Sequence, residues 1–153
     1  MNLKELKRKL DGIIKDTVNR QLTDKIGRNA VNNIKTRTRK GFGVAKNEGP
    51  TQRLKKLKPQ TVKRRRDLKK QGRLSGKTEV AKSNLTRSGK MLNNIKYSNS
   101  DNEINITLKS DQQDKAKKVS VERPFMNLSK SEVNEILKII EIELINDIKK
   151  KGL

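Results

Sequence analysis

The stretch Gly72-Arg-Leu-Ser-Gly-Lys-Thr78 ends like a loop that wraps a nucleotide phosphate, where glycine N–H groups and a lysine meet the phosphate oxygens. Such a loop needs four residues between its glycines, and Arg73, Leu74 and Ser75 are only three. It also follows a buried strand, whereas this stretch follows a charged run, and no apolar run ending in a magnesium-binding aspartate comes later. It therefore reads as a flexible basic loop. The remaining chemistry is thinner still. With no histidine and no cysteine, the commonest general base, the thiolate nucleophile and the usual zinc ligands are missing. The chain reads as a non-enzyme, with no catalytic cluster, metal site or cofactor expected.

What the side chains do offer is positive charge. Thirty-nine Lys and Arg against 17 Asp and Glu leave +22, a field that attracts nucleic acid, acidic membranes or acidic proteins without choosing among them. Residues 36–90 hold 19 basic and three acidic side chains, so +16 of the +22 belongs to this one segment. Its candidate contacts to a partner or to DNA are Arg53, Lys55, Lys56, Lys63, Arg64, Arg65, Arg66, Lys69 and Lys70. They suit phosphates through counterion release in any sequence context. Phe42 is the only aromatic residue of the segment, so reading of single strands by base stacking is not expected. Docking on an acidic protein surface is the preferred reading, a basic nucleic-acid-binding protein the alternative, and a solvated charge run the plain one.

These residues must be carried by a chain with little to bury. Of 153 residues 30% are hydrophobic and 2% aromatic, so a monomer has a thin core unless neighbours complete it. Leu3, Leu6, Leu10, Ile13, Ile14, Val18, Leu22, Ile26, Ala30 and Ile34 keep helical spacing, which predicts one long amphipathic helix or two joined ones with the break near Gly27. Residues 36–90 predict an extended arm or insertion on a single domain spanning 1–153, projecting and mobile when the protein is alone. Glycines make its first part a loop, and residues 59–70 form a short helix that Gly72 ends. A short helix carrying Met91, Leu92 and Ile95 inward leads into a hairpin of residues 95–98 and 103–109 around the turn formers at 99–102. In its second strand Ile104, Ile106 and Leu108 alternate with polar residues. Residues 111–118 are expected to loop out and 119–122 to add a strand, since Pro124 biases Arg123 toward extended backbone.

The C-terminal helix has the clearest start. Ser129 and Glu132 form a capping box, and Leu128 stands four residues ahead of that glutamate as one half of a hydrophobic staple with Val133. Val133, Ile136, Leu137, Ile140, Leu144 and Ile148, widened by Ile139, Ile142 and Ile145, make a broad apolar face that must be covered. We expect it and the N-terminal stripe on one side of a small antiparallel sheet, or against each other. The order of helix, basic arm, hairpin, strand and helix is α+β. The charged N-terminus shows no secretory signal, and no membrane span is expected.

Three stretches in order carry a resemblance: residues 57–66, then 85–92, with Thr86, Gly89 and Leu92, then Arg123-Pro124-Phe125-Met126-Asn127-Leu128-Ser129 ahead of Glu132. Together they resemble the tail-completion, or virion-morphogenesis, proteins of long-tailed bacteriophages. Members tend to carry a leucine-proline-threonine-basic stretch, a threonine-glycine-x-leucine turn before a strand, and an arginine-proline-phenylalanine turn into the last helix. Where members often have a tyrosine-histidine-phenylalanine-glycine loop, this chain has residues 111–118. The resemblance implies a structural virion protein without catalysis, assembled in the bacterial cytoplasm into a homo-oligomeric ring, commonly sixfold. Such a ring sits at the head-tail junction or neck, contacts connector and tail proteins, and lets DNA pass through its channel. It further implies that the basic arm orders on assembly, with Arg64, Arg65 and Arg66 facing an acidic neighbour or that channel.

Overall fold

Asn19 divides the N-terminal helical pattern in two. In the computed structural model, which describes residues 3–74, 76, 78–83, 85 and 90–152, α1 spans Leu3–Thr17 and α2 spans Arg20–Arg39. The Asn19 side chain accepts hydrogen bonds from Gln21 N at 2.9 Å and Leu22 N at 3.1 Å, satisfying donors that open a new helix. The break expected at Gly27 is not there, and α2 runs straight through it. A capping side chain starts a helix more effectively than a glycine stops one, and the absent Cβ of Gly27 serves packing instead.

Helix α2 continues four residues into the segment expected as a loop. After it come β1, Phe42–Val44, and β2, Thr51–Arg53, paired antiparallel with Phe42 opposite Arg53 and Val44 opposite Thr51. Helix α3 covers Pro59–Lys70, as its leading proline and the following Gly72 at φ +66° dictate. Helix α4, Lys90–Asn93, delivers Met91 and Leu92 to the interior and hands over to β3, Ile95–Asn99. Strand β4, Ile104–Leu108, pairs with β3 from Ile95 opposite Leu108 to Asn99 opposite Ile104.

The predicted loop at 111–118 and strand at 119–122 are instead one helix, α5, Ser110–Glu122. Val119 and Val121 look like alternating strand positions, but a stretch of four residues cannot distinguish the two periods. Helical spacing decides the outcome: Ala116 is buried and Val119 half-buried one turn on, while Val121 is 85% exposed. The described residues thus form two separate two-stranded antiparallel sheets and six helices, an α+β arrangement without a third strand on the second hairpin.

The core gathers Val31 and Ile34 of α2, Met91 and Leu92 of α4, Ile95 of β3, Leu108 of β4, Ala116 of α5, and Phe125. Helix α2 is its spine, lying against both strands of the second hairpin and against the last helix, α6, Lys130–Lys150. The capping box of α6 is formed as its sequence requires. Its apolar stripe is divided. Helix α6 packs on α1 and α2, the two helices of the N-terminal stripe, with Val133, Ile136, Ile139, Ile140, Leu144 and Ile148 half-buried, while Leu137, Ile142 and Ile145 are 56%, 56% and 42% exposed. Its acidic residues make the crossings: Glu132 meets Arg37, Glu135 accepts from Asn33 at 3.0 Å, Glu143 from Lys25 at 2.6 Å, and Asp147 from Thr17 at 2.9 Å. The carboxylates of Glu132, Glu135 and Glu143 thus meet the basic α2 side.

Candidate partner interface

The turn at 123–129 gathers the chain around one guanidinium. Arg37, in the last turn of α2, donates Nη1 to Glu132 Oε2 and Nη2 to the carbonyls of Phe125 at 2.8 Å and Asn127 at 2.7 Å. Only 8% of it is exposed. Burial lowers the Arg37 pKa from its ordinary value, and Glu132 opposes that shift; an arginine starts so high that it stays charged. The same Glu132 Oε2 accepts from Ser129 N at 2.7 Å and Ser129 Oγ at 2.9 Å, so one carboxylate oxygen serves both the helix cap and the ion pair. In the sequence Arg37 reads only as one more cation of the basic segment. Its position was the available signal, since it continues the buried stripe Ile26, Ala30, Ile34.

The resemblance-bearing residues are held around this point. Pro124 O accepts from Val44 N at 3.1 Å, and Gly43 passes so close that a Cβ there would stand 2.0 Å from that oxygen. Asn127 Nδ2 donates to Val44 O at 3.1 Å and Ala45 O at 3.0 Å, while Leu128 O accepts from Glu48 N at 2.9 Å. Arg123 Nε reaches Ser83 Oγ at 2.9 Å and Lys55 O at 3.2 Å, tying the basic segment to the turn. Phe125 and Leu92 are fully buried. Thr86 and Gly89 lie outside the described residues.

No protein-family model, curated protein or solved structure matches this chain.

The basic residues divide into two groups. Arg53, Lys55, Lys56, Lys63, Arg64, Arg66, Lys69 and Lys70 are exposed. Arg65, expected among the contact residues, points inward at 5% exposure and donates Nη1 to the carbonyls of Glu79 at 3.2 Å and Lys82 at 3.0 Å. Arg65 therefore fastens residues 79–82 to α3. Helix α3 carries six basic residues and one acid, and Lys63, Arg66, Asp67 and Lys70 share its outward ridge at helical spacing. Lys55 lies 3.3 Å from Glu122, and its hydrogen bond holds that carboxyl below the usual carboxylate range. Among the described residues no cluster of three or more acidic side chains could hold a metal ion, and no helix is long and apolar enough to cross a membrane. The arrangement suits binding of anionic surfaces through α3 and the strand before it.

Proposed function

We propose that this chain is a structural virion protein of a tailed bacteriophage, a tail-completion or connector subunit that forms a ring, expected sixfold, at the head-tail junction. The observation that carries the reading is the pairing of two unmet surfaces on one small chain: an exposed row of cations on α3 and the exposed aliphatic side chains Leu137, Ile142 and Ile145 on α6. Cyclic assembly places different patches of neighbouring copies against each other, so a subunit removed from its ring exposes such patches. The three stretches that resemble the family support the same reading, and the last of them surrounds the buried Arg37. Neighbouring connector and tail proteins, and DNA in the channel, are the partners this assigns to the cations of the arm.

The test is a cryo-EM reconstruction of purified particles with mass spectrometry of their proteins. A closed ring of this chain around the head-tail channel is the expected result. Absence of the chain from infectious particles overturns the proposal. The alternative, a basic nucleic-acid-binding protein, is favoured by the exposed ridge of α3, and predicts a shift of naked DNA or RNA whose affinity falls steeply with salt.

A further inference from the structure

The uncovered side of α6 is a defined strip. Asn134, Leu137, Lys138, Glu141, Ile142 and Ile145 are all exposed, and their steps of three, one, three, one and three keep them on one line along the helix. The strip is self-complementary when reversed. Its midpoint falls between Ile139 and Ile140, and an antiparallel copy about that point sets Leu137 against the partner's Ile142 and Lys138 against the partner's Glu141, each twice. Asn134 then meets the partner's Ile145. Lys138 and Glu141 form no ion pair within the described chain, so both are available for this pairing.

Charge favours the same occupant. Helix α6 carries four basic and five acidic residues, net −1, in a chain whose other residues sum to +23. Two such chains repel almost everywhere else; on this helix the central contacts join opposite charges, and the like pair that the register sets up, Lys130 against the partner's Lys149, lies exposed at the two ends. We infer that α6 is a two-fold dimerisation surface, on which a second copy of this chain packs its own α6 antiparallel. The same face is one of the two unmet surfaces behind the virion reading, but the contact is of another kind, because a ring is closed by unlike patches whereas this one pairs like with like. A single helix pair is small beside a standard interface, so association on the order of 10 µM is expected.

The experiment is sedimentation equilibrium of the full chain from about 1 to 100 µM in 0.15 M and 0.5 M NaCl. We expect a monomer-dimer equilibrium that tightens at the higher salt, since screening weakens the repulsion between two +22 chains but not the apolar contact. K138E and E141K, each confirmed folded by circular dichroism, should each weaken self-association about tenfold or more by facing like charges. Mixing them in equal amounts should restore the dimer, as both contacts then join opposite charges. A chain that stays monomeric at the highest concentration in both salts overturns the inference, as does a dimer indifferent to both swaps. Either failure leaves the proposed function standing, since that reading is tested on particles.

Discussion

The ring of Tyr97 on β3 lies against the backbone of Gly27 on α2, where a Cβ would stand 2.3 Å from Tyr97 Cδ2. The ring has little freedom to move away, because its hydroxyl donates to Asp24 Oδ1 at 2.6 Å, one turn earlier on α2, and accepts from Arg28 Nε at 3.3 Å. This close approach seats the second hairpin on the helix. Gly27→Ala gains about 1 kcal/mol of helix propensity but overpacks a fixed ring at a cost of about 1–3 kcal/mol. We expect a net destabilisation of about 1 kcal/mol, read from the urea midpoint. Gly12 is the control: it stands inside α1 with nothing within 4 Å of its Cβ position, so Gly12→Ala should stabilise by up to about 1 kcal/mol.

Arg37→Ala should be among the most damaging single substitutions. It leaves Glu132 buried without its counter-charge and removes both bonds to the turn carbonyls, a loss of about 3–5 kcal/mol. Glu132→Gln should cost less, because the amide keeps the shape of the cap. Thermal unfolding of the two single variants and the double variant gives their coupling, which should exceed about 1 kcal/mol. Additive losses would show that the pair does not act as a unit.

The arginines of α3 should part company under mutation. Arg64→Ala and Arg66→Ala change exposed side chains and should leave stability within about 0.5 kcal/mol of wild type. Arg65→Ala removes charged hydrogen bonds to the Glu79 and Lys82 carbonyls and should cost about 1.5–3 kcal/mol. Binding of an anionic partner should show the reverse order, with Arg64 and Arg66 mattering and Arg65 acting only through the fold. Calorimetric melting and a salt-dependent binding assay on the same three proteins check both halves.

Stability should fall on the acid side. Asp147 is held below the usual carboxylate range by the Thr17 hydroxyl and then by Lys150, Asp24 by the Tyr97 hydroxyl, and Glu122 by Lys55. Each is a stronger acid folded than unfolded. The contribution of each is therefore complete above the ordinary carboxylate range of about 4 and is lost as pH drops through it toward the lower folded value. Urea midpoints from pH 7 to pH 2.5 should decline mainly below about pH 4.5. Asp147→Asn should flatten the decline, and an unchanged slope would remove Asp147 from the account.

Local signals were legible wherever a side chain acts on its own neighbourhood. Pro59 and Gly72 bound α3, the alternation of Ile104, Ile106 and Leu108 marked β4, the turn formers at 99–102 joined it to β3, and Ser129 with Glu132 started α6. Each acts through the backbone within a few residues, so its partners stand beside it in the sequence. Short segments are ambiguous where two periods fit equally well, which is why the residues of α5 read as a loop and a strand.

What the sequence determined by itself was the α+β class, the confinement of charge to residues 36–90, and the presence of an aliphatic stripe in the last helix. Tertiary structure alone decided which way these features face. It turned Arg65 inward, gave Gly27 to Tyr97 in place of a break, and drew Glu132 under Arg37, with Ile136 and Ile140 half-buried and Leu137 and Ile142 left in solvent. The reason is that a buried charge must find its counter-charge, and Arg37 and Glu132 stand 95 residues apart. Sequence spacing reports a stripe, whereas the orientation of that stripe depends on partners that only folding brings together.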